Sequence, residues 1–249
     1  VTNTFALSPG TDFFGYRDAD GDDTTFNSDF AFEDQGNIDT WGLALRIEND
    51  INDDLQFTSI SDFKDYEKLL FLDVDGGPAN QSVNYAAVDA TSFTQEFRLN
   101  GTADQTRWVA GLYYLNIDNV SDNGLKFPVN SVVPGAPFDL GSDADLETDS
   151  YSLFGQVEYD LREDLTLIVG ARVIQEEKDY IFSQNIYGTT DSSQIHQGTP
   201  TLIGPTYPLG VPTAFVGDSS DTLWAGKLQL DWRLNDDWLL YAGVNRGVK

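Results

Sequence analysis

Residues 149–178 read DSYSLFGQVEYDLREDLTLIVGARVIQEEK. Taken in twos, Tyr151, Leu153, Gly155, Val157 and Tyr159 fall on one face of an extended strand, and Ser152, Phe154, Gln156 and Glu158 on the other. Asp160 to Asp164 breaks the alternation. It resumes with Leu165, Leu167, Val169, Ala171 and Val173 against Thr166, Ile168, Gly170, Arg172 and Ile174. The stretch predicts a long antiparallel hairpin with one apolar and one mostly polar face. Tyr151 and Tyr159 stand eight residues apart on the apolar face. On a tilted strand that distance covers roughly 20 Å of height, close to the ~25 Å apolar band that a membrane-spanning barrel presents to lipid. A soluble sandwich, with the apolar face turned inward, fits this one hairpin equally well.

The pattern recurs along the chain. Trp41, Leu43, Leu45 and Ile47 share a face. Asp50 to Asp54 turns, and Leu55 to Lys68 runs back. Phe93, Gln95, Phe97 and Leu99 alternate before the turn Gly101 to Gln105, and Trp108, Ala110, Leu112 and Tyr114 alternate after it. Trp224, Gly226, Leu228, Leu230 and Trp232 precede Asn235-Asp236-Asp237, and Trp238, Leu240, Ala242 and Val244 follow. The reading is all-β: about eight strands in four hairpins, an antiparallel transmembrane β-barrel segment. Turns within hairpins are short and polar. The segments between hairpins, read here as loops over 71–90, 120–146 and 184–220, are long, as is the opening stretch 1–36. Long structureless connections are uncommon in compact soluble domains. In a barrel of the outer membrane the short turns are periplasmic and the long loops extracellular. The aromatics agree. Trp108, Tyr159, Trp232 and Trp238 lie near short turns, and Trp41, Tyr114, Tyr151 and Trp224 near long loops, as two interfacial belts require.

Composition bounds the function. The chain has 249 residues, 40% hydrophobic and 13% aromatic, enough for one large β domain. Without cysteine it has neither a disulfide framework nor a thiolate metal site. A net charge of -27 argues against a nucleic-acid partner. No run of 18 apolar residues offers a transmembrane helix, and a barrel leaves no such signal. The chain has no Met, shows no leader and stops just after a strand-like run, so an internal fragment of a longer protein is expected, with 1–249 a partial barrel domain.

Few residues offer catalytic chemistry. His196, the sole histidine, sits in the longest loop and reads as solvated. Asp18, Asp20 and Asp22 resemble half of a calcium loop, but Asp23 stands where such a loop needs Gly. A structural calcium there competes with a plain acidic turn. No other cofactor is expected, and the chain reads as no enzyme. The lumen face carries Arg46, Glu48, Glu96, Arg98, Glu158, Arg172, Lys227, Asp231 and Arg233. These form either a network of wall ion pairs or a polar surface for a plug or channel. Tyr187, Tyr207 and Phe215, in a proline-stiffened loop, are the candidate ligand contacts.

The strings Thr94-Gln95-Glu96-Phe97-Arg98-Leu99 and Arg107-Trp108-Val109-Ala110-Gly111-Leu112-Tyr113-Tyr114 resemble the mid-barrel hairpin of TonB-dependent outer-membrane receptors. So do Leu153-Phe154-Gly155-Gln156 through Gly170-Ala171-Arg172, and Asn235 to Ala242 with Arg246-Gly247. The likeness runs from about Thr40 onward. It implies a barrel of about 22 strands closed by an N-terminal plug. It also implies residence in the bacterial outer membrane, contact with membrane lipid, energy from TonB through the plug, and uptake of a scarce small-molecule nutrient, a ferric siderophore by default. The plug and its TonB-contacting segment are not in this sequence. A passive porin or structural barrel, and a soluble glycan-binding β domain, are the rival readings. A plug-like domain encoded upstream of Val1 would separate the first two.

Overall fold

Strands alone make up the regular structure of the residues that the computed structural model describes, which are 36–74, 82–127, 138–188 and 213–248. They are β1 (Asn37–Asn52), β2 (Leu55–Asp73), β3 (Val83–Ala103), β4 (Thr106–Phe127), β5 (Phe138–Arg162), β6 (Leu165–Gly188), β7 (Thr213–Asn235) and β8 (Trp238–Arg246). Each pairs antiparallel with its sequence neighbours in one eight-stranded sheet of order β1 to β8. β1 and β8 are its edges, so the described sheet is not closed.

The four short turns fall where the sequence places them, for local reasons. Asn52 Oδ1 accepts from the Asp54 amide at 2.9 Å, and Asn235 Oδ1 from the Asp237 amide at 3.0 Å. In these two Asn-Asp-Asp turns the side chain substitutes for a turn carbonyl. Asp104 has a φ of 44°, in the left-handed region that aspartate tolerates. Register shifts sit beside the other three turns, at Asp50/Asn52, Asp160/Arg162 and Arg233/Asn235, where bulges sharpen the local twist. Backbone bonds tie three of the turns to the next strand, such as the Asp160 amide to the Gln105 carbonyl at 2.8 Å.

The strands run further than the sequence reading allows. Residues 71–73, 83–90, 120–127, 138–146, 184–188 and 213–220, expected as loop, are strand. The reason is visible on β5. Asp139, Gly141, Asp143, Asp145, Glu147 and Asp149 alternate with Leu140, Ser142, Ala144, Leu146 and Thr148. The period of two persists, but the polar face now lies on the side that is apolar lower down.

The register fixes the tilt. Trp41 is opposite Asp65, and the same row continues through Thr91, Asp118, Glu147 and Asp179 to Asp218 on β7. The upper aromatic line leaves that row step by step, through Phe63, Phe93, Tyr114 and Tyr151, and reaches Trp224, six residues below Asp218. Six residues at ~3.3 Å over six strand steps at ~4.8 Å give a tilt of about 35°, the lower end of the range for transmembrane barrels. Rings along the line touch: Trp41–Phe63 at 5.1 Å, Phe93–Tyr114 at 6.2 Å and Tyr114–Tyr151 at 4.9 Å between centroids. A second line descends in parallel through Trp108, Tyr159, Trp232 and Trp238. Trp224 and Trp232 are eight residues apart, as are Tyr151 and Tyr159. At this tilt the lines stand roughly 21 Å apart in height, near the ~25 Å of a lipid-facing band.

Between the lines the outward face is apolar and open. Leu112 is 56% exposed, Leu153 60%, Val173 52% and Leu228 50%. Packed against nothing in this sheet, such a face matches lipid rather than water. Above the upper line it turns acidic. Asp118, Glu147, Asp179 and Asp218 stand directly opposite one another in a row of four, and no ion pair among the described residues includes any of them. Like charges directly opposite are destabilising. Asp179→Asn, which relieves two such contacts, is therefore expected to raise stability by a few tenths of a kcal/mol at low ionic strength. The gain should fade in ~1 M salt, where screening acts within about 3 Å. Chemical denaturation of the full-length protein at two salt concentrations checks this; an unchanged difference would mean that the row is not an electrostatic feature.

Candidate functional site

The inner face of the sheet is the candidate site. Strand alternation places on it all nine residues expected to face the lumen, and the contacts show how they are used. Arg46 pairs with Glu48, and Arg98 with Glu96, each two residues along its own strand. Lys64 and Asp62 do the same at 3.2 Å, and Lys178 and Glu176 at 2.6 Å. Glu158 is held across the β4–β5 pair by Arg107 at 3.3 Å. Asp231 accepts from the Gln229 amide at 2.6 Å. Four of the ion pairs on this wall are thus made within single strands.

Arg107 is the hub that the sequence reading missed. It reaches Glu158 and also Asp160, at 2.7 and 3.0 Å to its two carboxylate oxygens. The bidentate fork suits a guanidinium. Asp160 lies one residue past Tyr159, beyond the lower aromatic line. Hydrogen bonds from Arg107 first, then from Thr166, pull its carboxyl down to about 2. A depressed carboxylate contributes stability above its unfolded value, near 4, and that contribution is lost as pH falls towards 2. In Arg107→Ala the Asp160 titration, followed by carboxyl carbon NMR, should return towards the ordinary range; an unmoved titration would refute the assigned cause. The signal was available in the sequence: Arg107 and Glu158 become opposite once both neighbouring turns are located.

Arg172, Lys227 and Arg233 have no ion-pair partner among the described residues. The Arg172 Nε donates to Ser152 Oγ at 3.1 Å, and the guanidinium lies over the rings of Tyr113 and Phe154, 5.4 and 6.0 Å from their centroids. Phe154 can lie there because Gly111 is opposite it. A Cβ on Gly111 would meet the Phe154 ring and come within 2.6 Å of the Phe97 carbonyl oxygen. Around this stack lies a trough of about 1020 Å³, lined by Glu96, Arg98, Tyr113, Phe154, Arg172 and Lys178 among others. It offers aromatic faces, hydroxyls and one guanidinium not committed to a carboxylate.

Phe215, expected in a loop, lies on β7 directly opposite Phe182. Tyr180, Phe182 and Phe215 share the inner-face parity. Tyr180 is 6.3 Å from Phe182 and 6.1 Å from Phe215 between ring centroids. Tyr187 is the penultimate residue of β6, but its side chain lies outside the described residues, as do Tyr207 and the aspartates Asp18, Asp20 and Asp22. Among the described residues no group of three His, Asp or Glu could hold a metal ion.

Comparison with known proteins agrees with this architecture. The family model described as "TonB dependent receptor-like, beta-barrel" matches residues 1–249. Among solved structures, the ferric yersiniabactin uptake receptor FyuA from Yersinia pestis superposes with a TM-score of 0.58 at 19% identity, over 82% of this chain and 27% of that one. The ferric-catecholate import receptor Fiu from K12 E. coli, in its closed form, gives 0.55 at 16% identity, over 88% and 34%. The RagAB peptide transporter gives 0.50 at 14%, over 80% and 26%. The chain spans about a third or less of the length of these structures. At such identities the likeness is one of fold. With the family match over residues 1–249, the apolar band between two tilted aromatic lines and the polar inner wall behind it, the chain belongs to the TonB-dependent receptor β-barrel family.

Proposed function

We propose that this chain is part of the barrel wall of a receptor that actively takes up a scarce nutrient across the bacterial outer membrane, driven by TonB through the protein's own plug. A ferric siderophore is the default cargo; two of the similar structures are a ferric yersiniabactin uptake receptor and a ferric-catecholate import receptor. The observation that carries the reading is the inner wall. Its charges are mostly neutralised by neighbours, which suits a surface against which a plug can sit and move. Arg172 over Tyr113 and Phe154, with Lys227 and Arg233, is what remains of the nine wall positions for a partner. Phe215 with Tyr180 and Phe182, and with Tyr207, would meet the ligand at the mouth, whereas Tyr187 stands opposite Asp139 at a position of outward parity. The long connections then face outwards and the short turns face the periplasm.

Uptake of an iron-loaded siderophore mixture by iron-starved cells tests this. Deleting the full-length gene should abolish one component of uptake, and an inner-membrane uncoupler should abolish the same component. A component that survives the uncoupler would point to a passive porin instead. Orientation is tested separately. Cys at Val216 should react with an impermeant thiol reagent on intact cells, and Cys at Asp236 only after the outer membrane is opened. The reverse pattern would invert the barrel and remove the proposed mouth.

A further inference from the structure

We infer that the cargo presents an uncharged, hydroxyl- or amide-edged surface to this wall at the mouth, and is recognised there by ring stacking and neutral hydrogen bonds rather than by charge. The register separates charge between the two faces of the outer strand ends. On the inner face of β3 to β7 the rows beyond Lys178 are Ala90, Asn119, Leu146, Tyr180 and Gly217, then Val88, Ser121, Ala144, Phe182 and Phe215. Neither row holds a charged residue, and nor does any inner position further out among the described residues of these strands. The outward face over the same span carries the acidic row of Asp118, Glu147, Asp179 and Asp218, with Asp89, Asp122, Asp143 and Asp145 above it.

The flanking inner charges are committed or distant. Lys178 is paired with Glu176 at 2.6 Å, and Lys68 lies opposite Val88 on β2, four strands and roughly 19 Å from Phe182 at ~4.8 Å per strand. An anionic cargo entering here meets the field of a chain of net charge -27 and finds no uncommitted inner cation at this height on β3 to β7 to offset it. A cationic cargo finds no inner carboxylate there to pair with.

The inner rows offer rings and neutral polar groups instead. Tyr180 and Phe182 stack with 16° between their planes. The Phe215 ring leans over Gly217, where a Cβ would come within 2.7 Å of it, and so reaches Tyr180. Three clustered rings, with Phe215 54% exposed on a wall that faces water, form an apolar platform that a partner can cover. Beside it the Gln184 and Asn123 amides and the Ser121 hydroxyl make no side-chain hydrogen bond among the described residues. Rings flanked by neutral donors and acceptors suit a ligand with a flat apolar face and a polar, uncharged edge. A neutral oligosaccharide and an uncharged ferric trihydroxamate share that chemistry; a trianionic ferric triscatecholate lacks it. The inference rests on the uptake reading, since it takes the inner mouth as the surface that meets the cargo, and it narrows that cargo by charge.

Calorimetric titration of the detergent-purified full-length protein tests it with three probes: a mixture of neutral maltodextrins, an uncharged ferric trihydroxamate and a trianionic ferric triscatecholate. One neutral probe should bind, and which one does so separates a sugar from an iron chelate. The triscatecholate should bind at least about tenfold more weakly. Phe215→Ala should weaken the neutral probe by about tenfold, the scale of losing one aromatic anchor. Gln184→Lys and Gln184→Glu should both weaken it, because a charge of either sign must shed water against an uncharged partner. Ile181→Ala, beside Tyr180 in sequence but on the outward face, should bind as wild type does. Heat-modifiable gel mobility confirms that the variants are folded. Tighter binding of the triscatecholate, tighter binding by either Gln184 variant, wild-type affinity in Phe215→Ala, or binding of neither neutral probe would each overturn the assignment. Tight triscatecholate binding would do so while leaving TonB-driven uptake intact, whereas uptake that survives the uncoupler would remove the uptake reading and leave the titration unchanged.

Discussion

Leu228→Arg is expected to destabilise the full-length barrel by roughly 2–4 kcal/mol in lipid, the cost of a guanidinium near the bilayer midplane. Leu228 lies midway between Trp224 and Trp232 on β7, directly opposite Val169, and is half-exposed on the outward face. Two comparisons make the effect specific. Leu230→Arg sits one outward position nearer the lower aromatic line and should cost less, since the penalty falls towards ~0–1 kcal/mol at the interface. Gln229→Arg, between them in sequence, points to the inner wall beside Asp231 and should be milder still. Reversible unfolding in lipid vesicles reads all three. Equal costs at 228 and 229 would mean that the faces are wrongly assigned.

The second large effect lies above the membrane band. Lys126 on β4 and Asp139 on β5 form an ion pair with both side chains fully buried. Their backbones are directly opposite. The Tyr85 ring lies 5.8 Å from the lysine Nζ, and Tyr85 itself packs in a small cluster with Phe71 and Val83. Gly124 allows the close approach, since a Cβ there would stand 2.6 Å from the Tyr85 hydroxyl. Removing one partner of a buried pair leaves a charge without its counter-ion and typically costs about 3–5 kcal/mol. Lys126→Met should therefore open the outer ends of β3 to β5, seen as faster hydrogen exchange over residues 83–90 and 120–127, while the membrane band stays protected. Replacing both partners, Lys126→Met with Asp139→Leu, should recover much of the loss, because apolar pairs of similar volume often substitute for buried ion pairs. If the single variant exchanges like wild type, the pair does not hold these ends together.

The hairpins, the turns and both aromatic belts were legible in the sequence, because each is a local pattern. Tyr151 and Tyr159 report band height within a single strand, and Asn-Asp-Asp reports a turn within three residues. The outer halves of the strands were not legible. Along 139–149 the alternation continues with inverted sense, acidic outward and apolar or small inward, so a search for an outward apolar face stops at Tyr151. Phe215 was misplaced for a related reason: Pro212 reads as loop, yet β7 begins at the very next residue. The tilt was invisible because it depends on register across connections whose length sets no register. Of the inner wall, the charged positions were readable from parity. Their partners were not, since Arg107 reaches Glu158 and Asp160 only once β4 and β5 are aligned.

Depth and face are tested together by spin labels placed singly at 222–232 along β7 of the full-length protein in lipid vesicles. This segment contributes no native cysteine to the background. The account expects accessibility to oxygen at even positions, rising to a maximum at 228 and falling towards 224 and 232, with accessibility to a water-soluble nickel chelate at odd positions. Nickel access at both parities, or an oxygen profile with no maximum between the two tryptophans, would contradict a lipid-spanning wall.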